Sequence, residues 1–282
     1  MRWGVVLACA AFACAGGACL FPNLAGLDDA AADASQETSA SDVATEMPVA
    51  DAGADVKAAC PAPEPNLVCY YKLDEGAGLA VHDCSGNGRD GLMIAGTAAN
   101  WSPGHGDSGT AIHIDPSTTT GCVSIGSFPI VTGALSVAMW VKASSYPPDG
   151  GNKQYMISKT LMFSSAGWRF ATTDTPDYSF GMIRASDASI FFETPSNVAS
   201  PLAKWTHLAV VYTPSSDVTE YVDGVLVRQK VGAPASLIED VNATLRIGCR
   251  GDNGSYLDGF IDEVRIYDRA LGASEIATLA AQ

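Results

Sequence analysis

Between Leu67 and Tyr267 the chain never runs far without a cluster of Gly, Pro, Asn, Asp or Ser, and between clusters its apolar residues show no long helical period. Runs punctuated in this way read as short strands. With no helices between them, their apolar faces must be covered by one another, which predicts two antiparallel sheets packed face to face. The strands are expected near residues 67–73, 91–94, 111–114, 122–125, 135–142, 155–159, 168–172, 178–183, 189–193, 205–212, 219–227, 244–247 and 259–267. Asp223-Gly224 marks a two-residue hairpin, because a type I′ turn needs positive φ at both central positions. One short helix is expected over 273–280, where Ile276 and Leu279 share a face and would cap one end of the sandwich.

The last strand raises a chemical question. Strict alternation puts Phe260, Asp262, Val264 and Ile266 on one side and Ile261, Glu263, Arg265 and Tyr267 on the other. Asp262 then points at an apolar layer, and an unpaired carboxylate is costly to bury. An Arg, several backbone N–H groups or a metal ion must meet it.

The first 59 residues are of another kind. Residues 1–19 read as an export signal: Arg2, an apolar run from Val5, and small residues before Cys19. The run is too short to span a bilayer. A small-residue stretch ending in Cys resembles a bacterial lipobox and makes Cys19 the lipidation candidate. Gly16 stands where that pattern usually has Leu; Cys14 is the second choice, and cleavage without lipid the third. Residues 20–59 form a linker, rich in Ala, Asp, Ser and Thr from Asp28 on and unable to bury enough apolar surface to fold. Its eight acids against Lys57 supply −7 of the formal −15, Arg2 adds one positive charge, and residues 58–282 carry −9. Both parts are acidic, which argues against nucleic acid and against electrostatic attachment to anionic lipid, leaving a lipid anchor as the one membrane contact. Residues 60–282 make one domain.

Six blocks in order resemble the laminin-G-like jelly-roll domains of the concanavalin A-like lectin/glucanase superfamily. They are Leu67-Val-Cys-Tyr-Tyr-Lys-Leu-Asp-Glu-Gly, Asp83-Cys-Ser-Gly-Asn-Gly-Arg-Asp-Gly, Leu135-Ser-Val-Ala-Met-Trp-Val-Lys, Trp205-Thr-His-Leu-Ala-Val-Val-Tyr, Tyr221-Val-Asp-Gly and Asp262-Glu-Val-Arg-Ile-Tyr. The resemblance implies an all-β jelly roll that binds carbohydrate or protein outside the cell, often with calcium. The turn from Asp83 to Asn87 is rich in oxygen donors and in residues tolerant of left-handed backbone. By the resemblance, such a loop can hold calcium where it approaches the final strand, which makes Asp83, Asn87 and Asp262 the metal candidates. The alternative is a tight turn whose side chains bond their own backbone. The loop from Arg250 to Asp258 lacks the alternating acids of an EF-hand and reads as a loop only.

No catalytic residue is assigned. The Glu-x-Asp-x-Glu strand of glucanases is missing, adjacent Asp262 and Glu263 should face opposite ways, and His82, His105, His113 and His207 show no metal spacing. A hydrolase or lyase of the same superfamily, or a structural surface protein binding a protein partner, are the alternatives to a glycan- or matrix-binding module. Trp140, Trp205 and His207 read as core. A sugar platform is sought in the middle region, at Tyr155, Trp168 and Tyr178, with Arg169 nearby, because ring faces stack on sugar C–H faces. In an exported chain the five cysteines of the domain, Cys60, Cys69, Cys84, Cys122 and Cys249, should oxidise and leave one unpaired. Cys60 or Cys69 could staple the first strand to the Cys84 loop. The expected setting is a bacterial cell envelope or surface.

Overall fold

The structure is a computed structural model that describes residues 60–94, 101–106, 109–117, 121–130, 133–147, 153–160, 166–172, 177–183, 190–194, 201–237, 241–251 and 254–282. The expected signal with Cys19, and the linker 20–59, lie outside the described residues. In chain order the strands are β1 (Leu67–Tyr71), β2 (Ala80–Val81), β3 (Gly91–Ile94), β4 (Trp101–Pro103), β5 (Thr110–Ile114), β6 (Cys122–Ser127), β7 (Leu135–Ala143) and β8 (Tyr155–Lys159). They continue as β9 (Gly167–Thr172), β10 (Tyr178–Ile183), β11 (Ile190–Glu193), β12 (Thr206–Thr213), β13 (Asp217–Val222), β14 (Val225–Val231), β15 (Thr244–Ile247) and β16 (Gly259–Tyr267), followed by one helix, α1 (Ala273–Leu279).

Two sheets form. The first runs β14-β13-β12-β7-β16-β5-β4, with β1 also paired to β16; the second runs β11-β10-β9-β8-β15-β6-β3-β2. Their facing rows make the core. Val137, Met139, Val141, Leu208, Val210, Tyr212, Ile261, Val264 and Ile266 of the first sheet share one buried cluster with Met156, Ile157, Trp168, Phe170, Phe180, Met182, Leu245 and Ile247 of the second. The all-β sandwich expected from the punctuation is therefore present, and Asp223 (φ 47°) and Gly224 (φ 80°) both adopt the positive φ that the β13–β14 hairpin requires.

Of the places where the register shifts, the one inside β16 bears on the site. Asp262 pairs with Trp140 and Arg265 with Ala138, so two residues, Glu263 and Val264, stand opposite Met139. This is a β-bulge, and Glu263 takes the left-handed φ of 53° that absorbs the extra residue. It puts the two halves of the strand out of phase: Val264 and Ile266 face the core as expected, but Ile261 joins them there, and Phe260 and Asp262, expected on the same apolar row, face outward with Arg265 and Tyr267. The bulge also divides the other edge of β16, which pairs with β5 through Gly259–Ile261 and with β1 through residues 264–267.

Helix α1 forms where expected but does not cap an end of the sandwich. Ile276 and Leu279 pack on the outer face of the first sheet with Tyr70, Ala138, Ala209, Val211, Tyr221, Tyr267 and Leu271. Ser136 fixes the approach, its hydroxyl donating to the Arg269 carbonyl (2.7 Å) and accepting from the Leu271 N–H (3.0 Å). Half of that outer face is thus covered. The other half is where the site lies.

Two disulfides form, Cys60–Cys84 and Cys122–Cys249, and Cys69 is the unpaired, buried thiol. Burial pushes the Cys69 thiol up to about 11, which keeps it protonated and unreactive. No helix among the described residues is long and apolar enough to cross a membrane.

Candidate functional site

The uncovered half of the first sheet's outer face is built from alternate positions of three strands. Trp140 and Lys142 of β7, His207 of β12, and Phe260 and Asp262 of β16 all face outward there. His113 of β5 pairs with Phe260, and the turn after β4 lays His105 across the strands. The rings form a continuous array. His105 stacks on Trp140 with centroids 3.4 Å apart, and His207 meets the other edge of Trp140 at 5.3 Å. Trp205 stands edge-on to both His105 (6.1 Å) and Phe260 (6.2 Å), and Phe260 stacks on His113 at 4.2 Å. The Lys142 ammonium lies 4.0 Å from the Phe260 ring centre and 5.0 Å from that of Trp205, within cation–π range of both. Trp140, His207 and Asp262 are buried, whereas His105, His113, Lys142, Trp205 and Phe260 are half-buried and present polar and aromatic surface to solvent.

Asp262 holds the array together. Its two oxygens accept the His105 N–H (2.8 Å) and the Glu263 N–H (2.9 Å), so of the partners the sequence allowed it takes backbone donors. The turn can approach this closely only because position 104 is glycine; a Cβ there would lie 2.7 Å from the Asp262 carboxylate and 2.8 Å from the Thr110 carbonyl. Burial, with Glu263 and Asp74 as like charges, pushes the Asp262 carboxyl up to about 8 against the pull of those two N–H groups. Burial likewise pushes His207 down to about 4, helped by the Arg265 charge, and lowers His105. At neutral pH Asp262 and His207 are therefore both uncharged, which leaves an uncharged floor beneath the Lys142 ammonium.

The bulge also revises the geometry of the two adjacent acids. Glu263 reaches the same outer face as Asp262, where it accepts from the Tyr70 hydroxyl (2.6 Å) and pairs with Arg265 (2.9 Å). Its carboxylate is occupied by those partners, so sharing a face does not make the two acids a free catalytic pair.

Of the calcium candidates, Asp262 shares no hydrogen-bond partner with Asp83 or Asn87 among the described residues. Asp83 is buried and its oxygens accept the N–H groups of Tyr70, Ser85 and Arg89 and the Ser85 hydroxyl. Asn87 donates its amide to the Leu67 and Val68 carbonyls. Asp262 has none of these partners, and among the described residues no group of three His, Cys, Asp or Glu side chains is placed to hold a metal ion. A carboxylate filled with donors would have to release them to take calcium, so this donor set does not fit the ion as it stands. A cleft of about 540 Å³ beside this loop is lined by Glu64, Asn66, Ser85, Asn87, Arg89 and Asp268, among others. The Asn87 and Arg89 side chains there are spent on the chain's own carbonyls.

The sugar platform expected at Tyr155, Trp168 and Tyr178 needs correction. Trp168 (0% exposed) and Tyr178 (2%) are packed in the core between the sheets, and Tyr155 (4%) is covered as well. Ring area was the signal used for them, and a buried ring offers no face to a ligand. Trp205, expected in the core, is half-buried on the patch instead, and His105, His113, Lys142 and Phe260 were not singled out as ligand-binding. Lys142 and Phe260 sit at the open ends of their strands, a signal that could have marked them. The reach of His105 across 157 residues to Asp262 carries no local mark.

Residues 117–277 match the laminin-G model of the concanavalin A-like lectin/glucanases superfamily. No curated protein matches the chain. Among solved structures, domain 4 of an extracellular arabinanase from Geobacillus stearothermophilus, in complex with arabinotriose, superposes with a TM-score of 0.62 at 19% identity, over 76% of this chain and 98% of that one. The binding domain of Paraclostridial Mosquitocidal Protein 1 (TM-score 0.56, 17% identity) and that of botulinum neurotoxin serotype G (0.55, 16%) cover 76% and 77% of this chain. This chain spans about half the length of those two toxin domains, 52% and 51%. The two-sheet topology, the outward aromatic array and the match over more than half of the residues lead to one conclusion: the chain belongs to the concanavalin A-like lectin/glucanases superfamily.

Proposed function

We propose that the chain is an exported carbohydrate-binding module, carried behind a signal ending at Cys19 as lipid anchor and held off the envelope by the acidic linker. The observation that carries this reading is the half-buried run of His105, Trp205, Phe260 and His113 with Lys142 above it. Flat rings accept the C–H faces of a sugar, while the ammonium and the imidazole nitrogens take its hydroxyls. The array is built on strands and on a turn clamped by Asp262, so little ordering is needed on binding. The arabinotriose bound to a domain of the same fold supports a sugar as ligand. We assign no reaction to the site, since Glu263 is tied to Tyr70 and Arg265.

A glycan array that includes arabinotriose, probed with the full chain, tests the reading. Binding of at least one neutral glycan, lost by about tenfold or more in Trp205→Ala with the fold retained, is expected. Because the Asp83 carboxylate is already occupied, chelator should not change it. Binding of no glycan, or unchanged binding by Trp205→Ala, would refute the assignment; binding of a protein instead would favour the surface-protein alternative.

A further inference from the structure

The outward face of the second sheet holds a separate cluster of cations. Arg246 of β15 pairs with Ser158 of β8, and Ser158 pairs with Arg169 of β9, so the two arginines face the same way on either side of a serine. Their Cα atoms are about two strand spacings apart, roughly 10 Å. Arg169 is 0% exposed and lies over Gly181, where a Cβ would come within 3.3 Å of its guanidinium. One of its nitrogens, Nη2, donates to Glu193 (2.7 Å). Its Nε and Nη1 are buried without a partner among the described residues, and so are Nε and Nη1 of Arg246.

Glu193 does not settle this account of charge. The same oxygen, Oε1, also takes the Lys153 ammonium (2.6 Å) and the Ser179 hydroxyl (2.7 Å). Ser255, whose carbonyl accepts the Tyr155 N–H (3.0 Å), adds a buried hydroxyl without a partner among the described residues. The Tyr155 ring centre lies 5.5 Å from the Arg169 and 5.9 Å from the Arg250 guanidinium carbon. Buried donors left unpaired cost about 1–3 kcal/mol each, and more when charged. Water could satisfy the hydrogen bonds but would leave the Arg246 guanidinium without a counter-charge among the described residues. An oxyanion meets both needs. Arg246 and Tyr256 are half-buried and leave the strip a way to solvent.

We propose that Arg169 and Arg246, with Ser255, form an oxyanion subsite that takes the carboxylate or sulfate group of an acidic sugar. Placing the oxyanion on a sugar rests on the carbohydrate reading above; the oxyanion itself does not. The subsite lies on the opposite sheet from the aromatic patch, and it is a positive island in a domain whose net charge is −9.

Thermal shifts of the full chain at fixed ionic strength test it, with sodium sulfate, trigalacturonate and neutral arabinotriose as probes. Sulfate and trigalacturonate should both raise the melting temperature, and Arg246→Gln should weaken each about tenfold or more. Among the described residues Arg246 has no acidic partner, so this variant should fold; Arg169→Gln is a second variant expected to lose the same response. Trp205→Ala should keep the anion response, and loss of arabinotriose binding alone would bear on the patch and not on this subsite. No shift with either anion, or equal shifts in Arg246→Gln, would overturn the proposal. A shift with sulfate but none with trigalacturonate would overturn the sugar as its source.

Discussion

Replacing Asp262 with Asn isolates the energetic consequence of burying that carboxyl. In the folded domain its proton is held up to about 8, whereas an unfolded aspartate ionises near 3.9. Between those limits the unfolded chain has given up the proton and the folded chain keeps it. Raising the pH therefore favours unfolding, by about 1.4 kcal/mol per pH unit, until the folded group also ionises. His207 works in the opposite sense: its folded value near 4 lies below the unfolded 6.5, so its contribution is lost as pH falls through that interval. The two slopes oppose each other below about pH 6.5, and from 6.5 to 8 His207 no longer offsets Asp262; burial also raises Glu75 and Glu220, whose contributions are common to native and variant. Over that window Asp262 should cost the native chain about 2 kcal/mol. In Asp262→Asn that part of the slope should vanish. The variant should carry a constant offset of about 1–3 kcal/mol, because an amide has one oxygen for two N–H donors and turns its own NH₂ toward the other. Urea midpoints at pH 6.5, 7.0, 7.5 and 8.0 read both quantities. Parallel slopes in the two proteins would refute the protonated, buried Asp262 and the uncharged floor derived from it.

Two further expectations separate core from site. Trp168→Ala should cost about 3–5 kcal/mol in chemical denaturation while leaving any glycan affinity of the surviving folded fraction intact, the reverse of Trp205→Ala. Losing the Cys122–Cys249 bridge by a double Ala substitution should cost up to about 5 kcal/mol, since it closes 127 residues, against about 3.5 kcal/mol for Cys60–Cys84, which closes 24. Equal losses for the two bridges in urea melts would contradict the loop-length argument.

The fold was legible because strand punctuation and hairpin chemistry are local. Asp223-Gly224 names its own turn, and in β9 the order Gly167-Trp-Arg-Phe-Ala-Thr already puts Trp168 and Phe170 on one row and Arg169 on the other. That same alternation argued against Trp168 as a platform, since one row of a sandwich strand must face the partner sheet. The site was less legible for two physical reasons. Nothing local in the run from Gly259 to Tyr267 announces that Glu263 will turn left-handed, and one such residue exchanges the faces of everything after it. His105 belongs to the patch only through its N–H bond to Asp262, a contact set by folding and not by neighbouring sequence. The cysteine pairing was left open between Cys60 and Cys69; the interior position of Cys69 on β1 decides it.

The place of β16 in the first sheet has a consequence for how the chain reaches this structure. It is the last strand to be made, yet it lies in the interior of the sheet, joined to β7 on one side and to β5 and β1 on the other. Leu67 finds its partner in Tyr267 only after two hundred residues have been synthesised. Contacts so distant in sequence slow folding, and here they also forbid an early finish. A chain still emerging from a ribosome or a translocation pore holds β7 and β5 as two open edges with nothing between them. A truncation before Gly259 would accordingly not trim a margin; it would remove the middle of the sheet and leave both halves without their common neighbour.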